Sequence, residues 1–344
     1  MSTLSEAFRD FPLHLHHIIP LDFNSARVVP ESHIWPKSDD FSSHDCDQQQ
    51  PTNSLPLIDL NDPQAKQLIG DACETWGAFQ VVNHGIPLNL LNDAESETRR
   101  LFSLPTTQKL KALRAPGGAT GYGIARITPF FSKYMWHEGF TVIGSPFEHA
   151  KQLWPHDDAQ FCDVIENYQK EMRILAERLT KLIFKSLEIS EKSSTWVASN
   201  STNALQLNSY PSCPDPNRAL GLAPHTDTSL LTILRQSSIS GLQIFKEGVG
   251  WVSVLPISNA LVVNVGDLLH ILSNARFPNV LHRVLVNQKR QRLSMAYFYC
   301  PPMEFELVPV TASGQAPRYR PVTKKEFISI KAKHLDKALS LIKL

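Results

Sequence analysis

Residues 242–267 read LQIFKEGVGWVSVLPISNALVVNVGD, and their rhythm decides the fold. Residues 242–245 and 261–265 are short runs rich in Val, Ile and Leu, and each gives way to turn residues, 246–250 after the first and Gly266-Asp267 after the second. The same habit extends from 204 to 308, with 281–286 running into the turn 287–291. Many short strands without long helices between them predict an antiparallel sandwich or jelly roll. The Gly248-Val249-Gly250 trio reads as a hairpin turn, because it lacks the strand-to-helix setting of a dinucleotide loop.

Outward from this core the pattern turns helical. Residues 55–60 form a short strand ending at Asn61-Asp62-Pro63, a helix-start signal, and the helix continues to about Trp76. A strand at 78–82 enters the turn Asn83-His84-Gly85, and a second helix over 88–104 stops before Pro105. Over 157–188, Phe161, Val164, Ile165, Tyr168, Met172, Leu175, Leu179, Leu182, Ile183 and Leu187 recur in steps of three and four, a core face lying against a sheet. The last residues, 319–344, read as helical with Lys324, Lys325, Lys331 and Lys333 outside. The expected organisation is α+β. It comprises an N-terminal arm and flexible linker (1–53, the linker proper at 37–53 and a loosely docked arm before it), a helical, substrate-side region packed on the core (54–200), the core (201–310) and a C-terminal helical tail (311–344). His14, His16 and His17 in the arm have no acidic or thiol partner nearby and read as a solvated tail.

With 344 residues, 42% hydrophobic and 19% charged, the chain can bury a sizeable core. A net charge of +1 argues against nucleic acid or a strongly charged membrane surface as partner. No apolar run approaches the roughly 18–20 residues a spanning helix needs, and the N-terminus lacks the features of a secretory signal. The five cysteines are odd in number and widely spaced, with no CxxC, which predicts reduced thiols in a cytoplasmic protein. The expectation is a monomer acting on a small molecule.

Three pieces of the C-terminal half fit one chemical device: His225-Thr226-Asp227, then His282, then Arg292-Leu293-Ser294. Two imidazoles and a carboxylate can hold one face of a metal and leave the other open, the arrangement of non-haem Fe(II) oxygenases. Residues two apart on a strand share a face, so His225 and Asp227 can point inward together, as can Arg292 and Ser294 with Ala296 and Phe298, and Asn208 and Tyr210 with Gln206. His282 is expected to open a strand that hairpins into the Arg292 strand. Fe²⁺ with one aspartate carries +1; a dianionic keto-acid and one Arg bring the sum to zero, and an Arg fork matches a carboxylate as a Lys does not. Zinc would accept the same three ligands, but a zinc hydrolase has no use for a buried Arg-Ser clamp. His84 and His270 read as structural.

The motifs WGAFQVVNHGIP (76–87), LNSYPSCPDP (207–216), LAPHTDTSLLTIL (222–234), LVVNVGDLLHILSN (261–274) and LHRVLVN with RLSMAYF (281–298) resemble those of plant 2-oxoglutarate- and Fe(II)-dependent dioxygenases. GYGIARITPFFSKYMWHEGFTVIGSP (121–146) is similar to the gibberellin 3-beta-dioxygenases in particular. The resemblance implies a double-stranded β-helix (jelly-roll) core with flanking N-terminal helices and a C-terminal helix. It implies Fe(II) on His225, Asp227 and His282, and 2-oxoglutarate on Arg292 and Ser294 with Tyr210 and Asn208. O₂ would be the second co-substrate, ascorbate the reductant, and 3β-hydroxylation of a gibberellin precursor the reaction. Tyr122, Phe131, Phe298 and Tyr299 are then candidate pocket walls, and Arg126 or Lys133 a candidate anchor for the gibberellin carboxylate. Competing readings are a gibberellin oxidase acting at C-20 or C-2, a flavonoid dioxygenase, a zinc hydrolase and an inactive jelly-roll binding protein. Ala275 departs from the Gly expected after Ile-Leu-Ser-Asn, which is harmless unless that backbone needs positive φ.

Overall fold

Strand alternation sorts the side chains of the central strands onto two faces, and the two faces do different work. In the strand Arg292–Tyr299, Leu293, Met295, Tyr297 and Tyr299 pack into the main hydrophobic core, while Arg292, Ser294, Ala296 and Phe298 line a cavity. Its neighbour Ala204–Tyr210 repeats the division, with Leu205 and Leu207 in the core and Gln206, Asn208 and Tyr210 on the cavity. These coordinates, a computed structural model, describe residues 8–9, 11–36, 54–188, 202–311 and 314–344.

Eight strands form the larger sheet, in the order Leu57–Asp59, Ala78–Val82, Leu261–Val265, Leu231–Gln236, Arg292–Tyr299, Ala204–Tyr210, Glu138–Val142 and Gly121–Gly123. Only the first pair is parallel. A smaller sheet, ordered Leu220–His225, His282–Leu285, Leu242–Lys246 and Gly250–Ser253, completes the jelly roll. The turn at Gly248 and Gly250 has φ of +78° and +96°, so the glycines are there for the hairpin. The helical region before the core is more than a covering layer, since it donates four strands to the larger sheet. Its helices Ala65–Thr75, Leu88–Phe102 and Ala159–Ser186 close over the sheet's apolar face, and the expected stripe from Phe161 to Leu187 is buried there except for half-buried Val164 and Leu182.

Three expectations need correction. The described part of the arm is firmly packed: Ile18 is fully buried and accepts from the backbone of Ile124, Phe23 lies edge-on to Trp136, and Trp35 stacks near Phe131. The linker at 37–53 lies outside the described residues. His282–Leu285 and Arg292–Tyr299 belong to different sheets, so residues 286–291 cross between layers and make no hairpin. Finally, Lys324 and Lys331 in the helix Lys324–His334 are buried, while Lys325 and Lys333 are exposed. Positions 324, 328 and 331 share one helical face, and that face closes the cavity. Lys324 donates to Pro301 O at 2.9 Å and to Thr202. Thr323 caps this helix by accepting from Glu326 N, at 3.1 Å.

His84 and His270 are structural: His84 bridges Asn259 O and Ile86 N, and His270 bonds Phe277 O and the Tyr319 hydroxyl. Cys73, Cys162, Cys213 and Cys300 are buried free thiols, and Cys46 lies outside the described residues.

The short helix Asp267–Leu272 ends in a Schellman turn, with Asn274 N donating to Ile271 O and Ala275 N to His270 O. Asn274 and Ala275 have φ of +53° and +63°. Asn274 suits that region and uses its amide on Ala316 O and Arg318 N, but Ala275 carries a Cβ where glycine would be unstrained. The steric penalty is roughly 1–2 kcal/mol, offset by about 0.4–1 kcal/mol of extra unfolded-state entropy in a glycine variant. Ala275→Gly is therefore expected to stabilise the fold by about 0.5–1 kcal/mol, read as a higher urea midpoint at unchanged slope.

Candidate active site

Both sheets contribute to one cavity of about 550 Å³. His225 ends its strand directly opposite His282 in antiparallel register, and the two rings lie 4.2 Å apart. Each Nδ1 donates to a carbonyl two residues earlier, His225 to Ala223 at 2.8 Å and His282 to Val280 at 3.2 Å. Those bonds fix the tautomer and leave both Nε2 lone pairs free. The two Nε2 atoms face Asp227 Oδ1 at 3.7 and 3.8 Å. One possible ligand atom from each of the three residues lies within 4.8 Å of the others. These separations are long for hydrogen bonds and suit three ligands about one cation. Burial, helped by the neighbouring His282, pushes His225 down to about 3, so its ring is neutral, the form that ligates a metal. Asp227 Oδ2 is buried without a hydrogen-bond partner among the described residues, which suits a carboxylate able to hold a cation.

Asp227 lies past the end of the Leu220–His225 strand, so it does not share a strand face with His225 as the spacing suggests. A turn carries it, fixed from outside. Asp267 N–H donates to Asp227 O at 2.9 Å, and Lys331 Nζ donates to Thr226 O at 2.9 Å, to Thr226 Oγ1 at 2.6 Å and to the Asp267 carboxylate. Asn279 Nδ2 donates to the other Asp267 oxygen at 2.7 Å.

Across the cavity floor, Arg292 pairs in register with Tyr210 and Ser294 with Asn208. Arg292 is 1% exposed, and its Nη2 donates to Gln236 Oε1 at 3.0 Å. Its Nε and Nη1 find no hydrogen-bond acceptor. Burial draws the guanidinium below its ordinary pKa, and the Tyr210 hydroxyl beside it works against that. Unmet buried donors on a cation cost more than the ~1–3 kcal/mol of a neutral one, so an anionic ligand fits here. Gly241 gives Arg292 its path, because a Cβ there would stand 2.7 Å from Leu285 O and 3.0 Å from Arg292 Cδ. Asn208 Nδ2 reaches Ser294 Oγ at 3.4 Å and its Oδ1 accepts from His137 Nε2 at 2.9 Å. Burial holds His137 at about 4, hence neutral.

Of the expected substrate residues, Arg126 and Phe298 line the cavity and four others do not. Tyr299 follows Phe298 on one strand and so faces the opposite core. Tyr122 is buried with its hydroxyl donating to Glu138 Oε2 at 2.6 Å. Phe131 packs on Trp35, and Lys133 donates to Glu31 O at 2.9 Å at the surface. Sequence reasoning passed over Gln236, His137, Arg114 and Lys331. Gln236 was within reach, since it follows the cavity-lining Thr232 and Leu234 in strand alternation and bonds Arg292. The other three lie outside the core strands, where periodicity gives no signal.

A jelly roll whose cavity joins two imidazoles, one carboxylate and one buried arginine defines a class of oxygenase. The chain matches the 2OG-Fe(II) oxygenase superfamily over residues 201–301 and the N-terminal region of the non-haem dioxygenase in morphine synthesis over residues 55–158. It is 52% identical to gibberellin 3-beta-dioxygenase 1 of Pisum sativum, covering 100% of this chain and 94% of that one. It is 47% identical to gibberellin 3-beta-dioxygenase 1 of Arabidopsis thaliana, covering 99% and 98%. Among solved structures, JOX2 in complex with 2OG, Fe and JA superposes with a TM-score of 0.76 at 31% identity, over 88% of this chain and 89% of that one. The chain belongs to the gibberellin 3-beta-dioxygenase family. Enzymes of the superfamily use Fe(II), 2-oxoglutarate and O₂.

The Lys331–Asp267 pair that braces the His225–Asp227 turn is buried on both sides. Removing one partner of such a pair strands the other's charge, so Lys331→Met is expected to cost roughly 3–5 kcal/mol. Adding Asp267→Asn should recover part of that loss, giving strong non-additivity in urea unfolding; simple additivity would mean the pair is not coupled.

Proposed function

We propose that this enzyme 3β-hydroxylates gibberellin precursors, with Fe(II) held by His225, Asp227 and His282. Arg292 and Ser294 bind 2-oxoglutarate, assisted by Tyr210 and Asn208. The observation that carries the proposal is the convergence of two free Nε2 lone pairs, an unpartnered Asp227 oxygen and an unpartnered Arg292 edge in one cavity.

Bound iron and 2-oxoglutarate supply the oxidising power: one oxygen atom of O₂ enters an unactivated C–H bond, and the keto-acid leaves as succinate and CO₂. The protein's part is geometry and dryness. The carbonyl anchors of Ala223 and Val280 hold both imidazoles in the ligating tautomer. Gln236 orients the guanidinium of Arg292 so that its remaining edge can take the far carboxylate of 2-oxoglutarate bidentately. The hydroxyls of Ser294 and Tyr210 add donors at the same end. Apolar walls, among them Leu222, Leu234, Val284 and Phe298, exclude water and fit a rigid tetracyclic skeleton. Which carbon reacts depends on seating that skeleton to within about an ångström, since misplacement of that size can cost ~10²-fold in rate.

Ascorbate as reductant, a monomeric state and a cytoplasmic setting, without nucleic acid or membrane as partner, belong to the same proposal. A net charge of +1 and buried free thiols support them. Among the described residues, no helix is long and apolar enough to cross a membrane.

Mass analysis of products tests the reaction: a 3-deoxy gibberellin incubated with Fe(II), ascorbate and 2-oxoglutarate should gain one oxygen at C-3. Asp227→Ala should abolish product while the circular dichroism spectrum is kept. Arg292→Lys should raise the KM for 2-oxoglutarate by at least ~10-fold, because a point charge replaces a fork. Chelation should stop turnover, and Fe(II) but not Zn(II) should restore it; rescue by zinc, or an unchanged KM in Arg292→Lys, would overturn the site assignment.

A further inference from the structure

The cavity carries five cationic side chains: Arg114, Arg126, Arg292, Lys324 and Lys331. Three have evident employment. Lys331 neutralises Asp267, Lys324 is occupied by Thr202 and Pro301, and Arg292 sits opposite Tyr210 and bonds Gln236. Arg114 and Arg126 are different. Among the described residues, neither has a carboxylate within ion-pair distance.

Arg114 is 3% exposed; its Nη2 donates to Ile124 O at 2.7 Å, and its Nε is buried with no partner. Arg126 donates through Nη1 to Gly118 O at 2.5 Å and rests its guanidinium 3.8 Å from the centre of the Phe8 ring. The two charges are close enough to feel each other. Burial draws both below the ordinary arginine value, Arg114 to about 10 and Arg126 to about 9, and the charge of Arg114 adds to the shift on Arg126. The surrounding wall offers them no counter-charge, being Ala119, Ala125, Ile127, Pro129 and Phe130. Two half-desolvated guanidiniums held together without an anion are electrostatically unfavourable, and an anion entering between them relieves both. Phe8 and Leu13 from the N-terminal arm line the same cavity, so the pair is walled in by apolar surface.

We infer that Arg114 and Arg126 form a second anion subsite, separate from Arg292, that takes the carboxylate of an otherwise apolar substrate acid and thereby sets which way the skeleton faces the imidazoles. This rests on the proposed hydroxylation of a gibberellin precursor and deepens it. A carboxylate suits the pair better than a phosphate ester, because the adjoining wall offers no further ring of donors. Bound there, the acid presents its apolar body to Phe298 and Val284 and its reacting carbon to the metal side. Recognition is by two forks, so it is directional as well as electrostatic.

The test compares a 3-deoxy gibberellin with its methyl ester as substrates of the Fe(II)- and 2-oxoglutarate-loaded enzyme, in wild type, Arg114→Gln, Arg126→Gln and Arg126→Lys. Wild type should prefer the acid by on the order of 10–100-fold in kcat/KM. Arg126→Gln and Arg114→Gln should each lower kcat/KM for the acid by roughly tenfold or more, mostly through KM, and leave the ester within about threefold. Arg126→Lys should recover part of the acid preference, and the KM for 2-oxoglutarate should not move. Equal hydroxylation of acid and ester by wild type would overturn the subsite and leave the proposed reaction standing. So would equal losses on both substrates in the variants, which mark a structural role. If neither acid nor ester yields hydroxylated product, the proposed reaction itself fails. Should a Gln variant not fold, the wild-type comparison with the Arg126→Lys series decides alone, since neither needs a neutral replacement.

Discussion

The site depends on holding one carboxylate still. Asp227 lies beyond its strand, where alternation no longer constrains it, yet a metal ligand must be placed to a fraction of an ångström. The backbone of Asp267 and the ammonium of Lys331 meet that demand from behind. Lys331 comes from the helix Lys324–His334, more than a hundred positions along the chain, so the tail is part of the scaffold of the proposed metal site. A buried ion pair adds little net stability by comparison with an apolar replacement. Its role here is to tie a turn to a helix in one geometry.

The opposite wall solves the same problem with a sheet. Arg292, Ser294, Asn208 and Tyr210 lie on two strands in antiparallel register, flanked by Gln236 on a third. Their alternate neighbours, Leu293, Met295, Leu205 and Leu207, are locked in the main core. A register slip of one residue would send the guanidinium into that core and the leucines into the cavity. Core packing and co-substrate recognition are thus one constraint read on two faces of the same strands.

That coupling explains what the sequence disclosed. The reading from period-two and helical periodicity placed the short strands, the apolar stripe of the long helix, and the inward set of Arg292, Ser294, Ala296 and Phe298, but it put Asp227 on a strand that ends at His225. It went astray where it ignored its own rule, pairing Tyr299 with Phe298 on one face. It had no purchase on residues whose role is set by tertiary contact. Lysine on a helix is ordinarily solvated, so nothing local marks Lys324 or Lys331 as buried. Arg114 lies outside the regular strands, and only folding brings it beside Arg126. The arm was read as loosely docked from its polar composition, although Ile18, Phe23 and Trp35 supply the apolar anchors that pack it down.

The unsatisfied groups of the cavity fall into a pattern. Asp227 Oδ2, Arg292 Nε and Nη1, Arg114 Nε, Asn264 Oδ1 and His137 Nδ1 are all buried, and among the described residues no protein group answers them. Lysines 324 and 331, equally buried and equally charged, are fully answered. Folding alone would favour pairing every such group, since each unpaired one costs stability. Around the cavity the chain pairs its two lysines and leaves these lining groups open, while Tyr168 Oη, Thr180 Oγ1 and Arg235 Nε are buried and open away from it. Under the proposed function and the inferred second subsite, three of these positions would answer ligands: a cation beside Asp227, one carboxylate at Arg292 and another between Arg114 and Arg126. Specificity in such a cavity comes as much from the penalty of leaving these groups unmet as from the contacts a correct ligand makes.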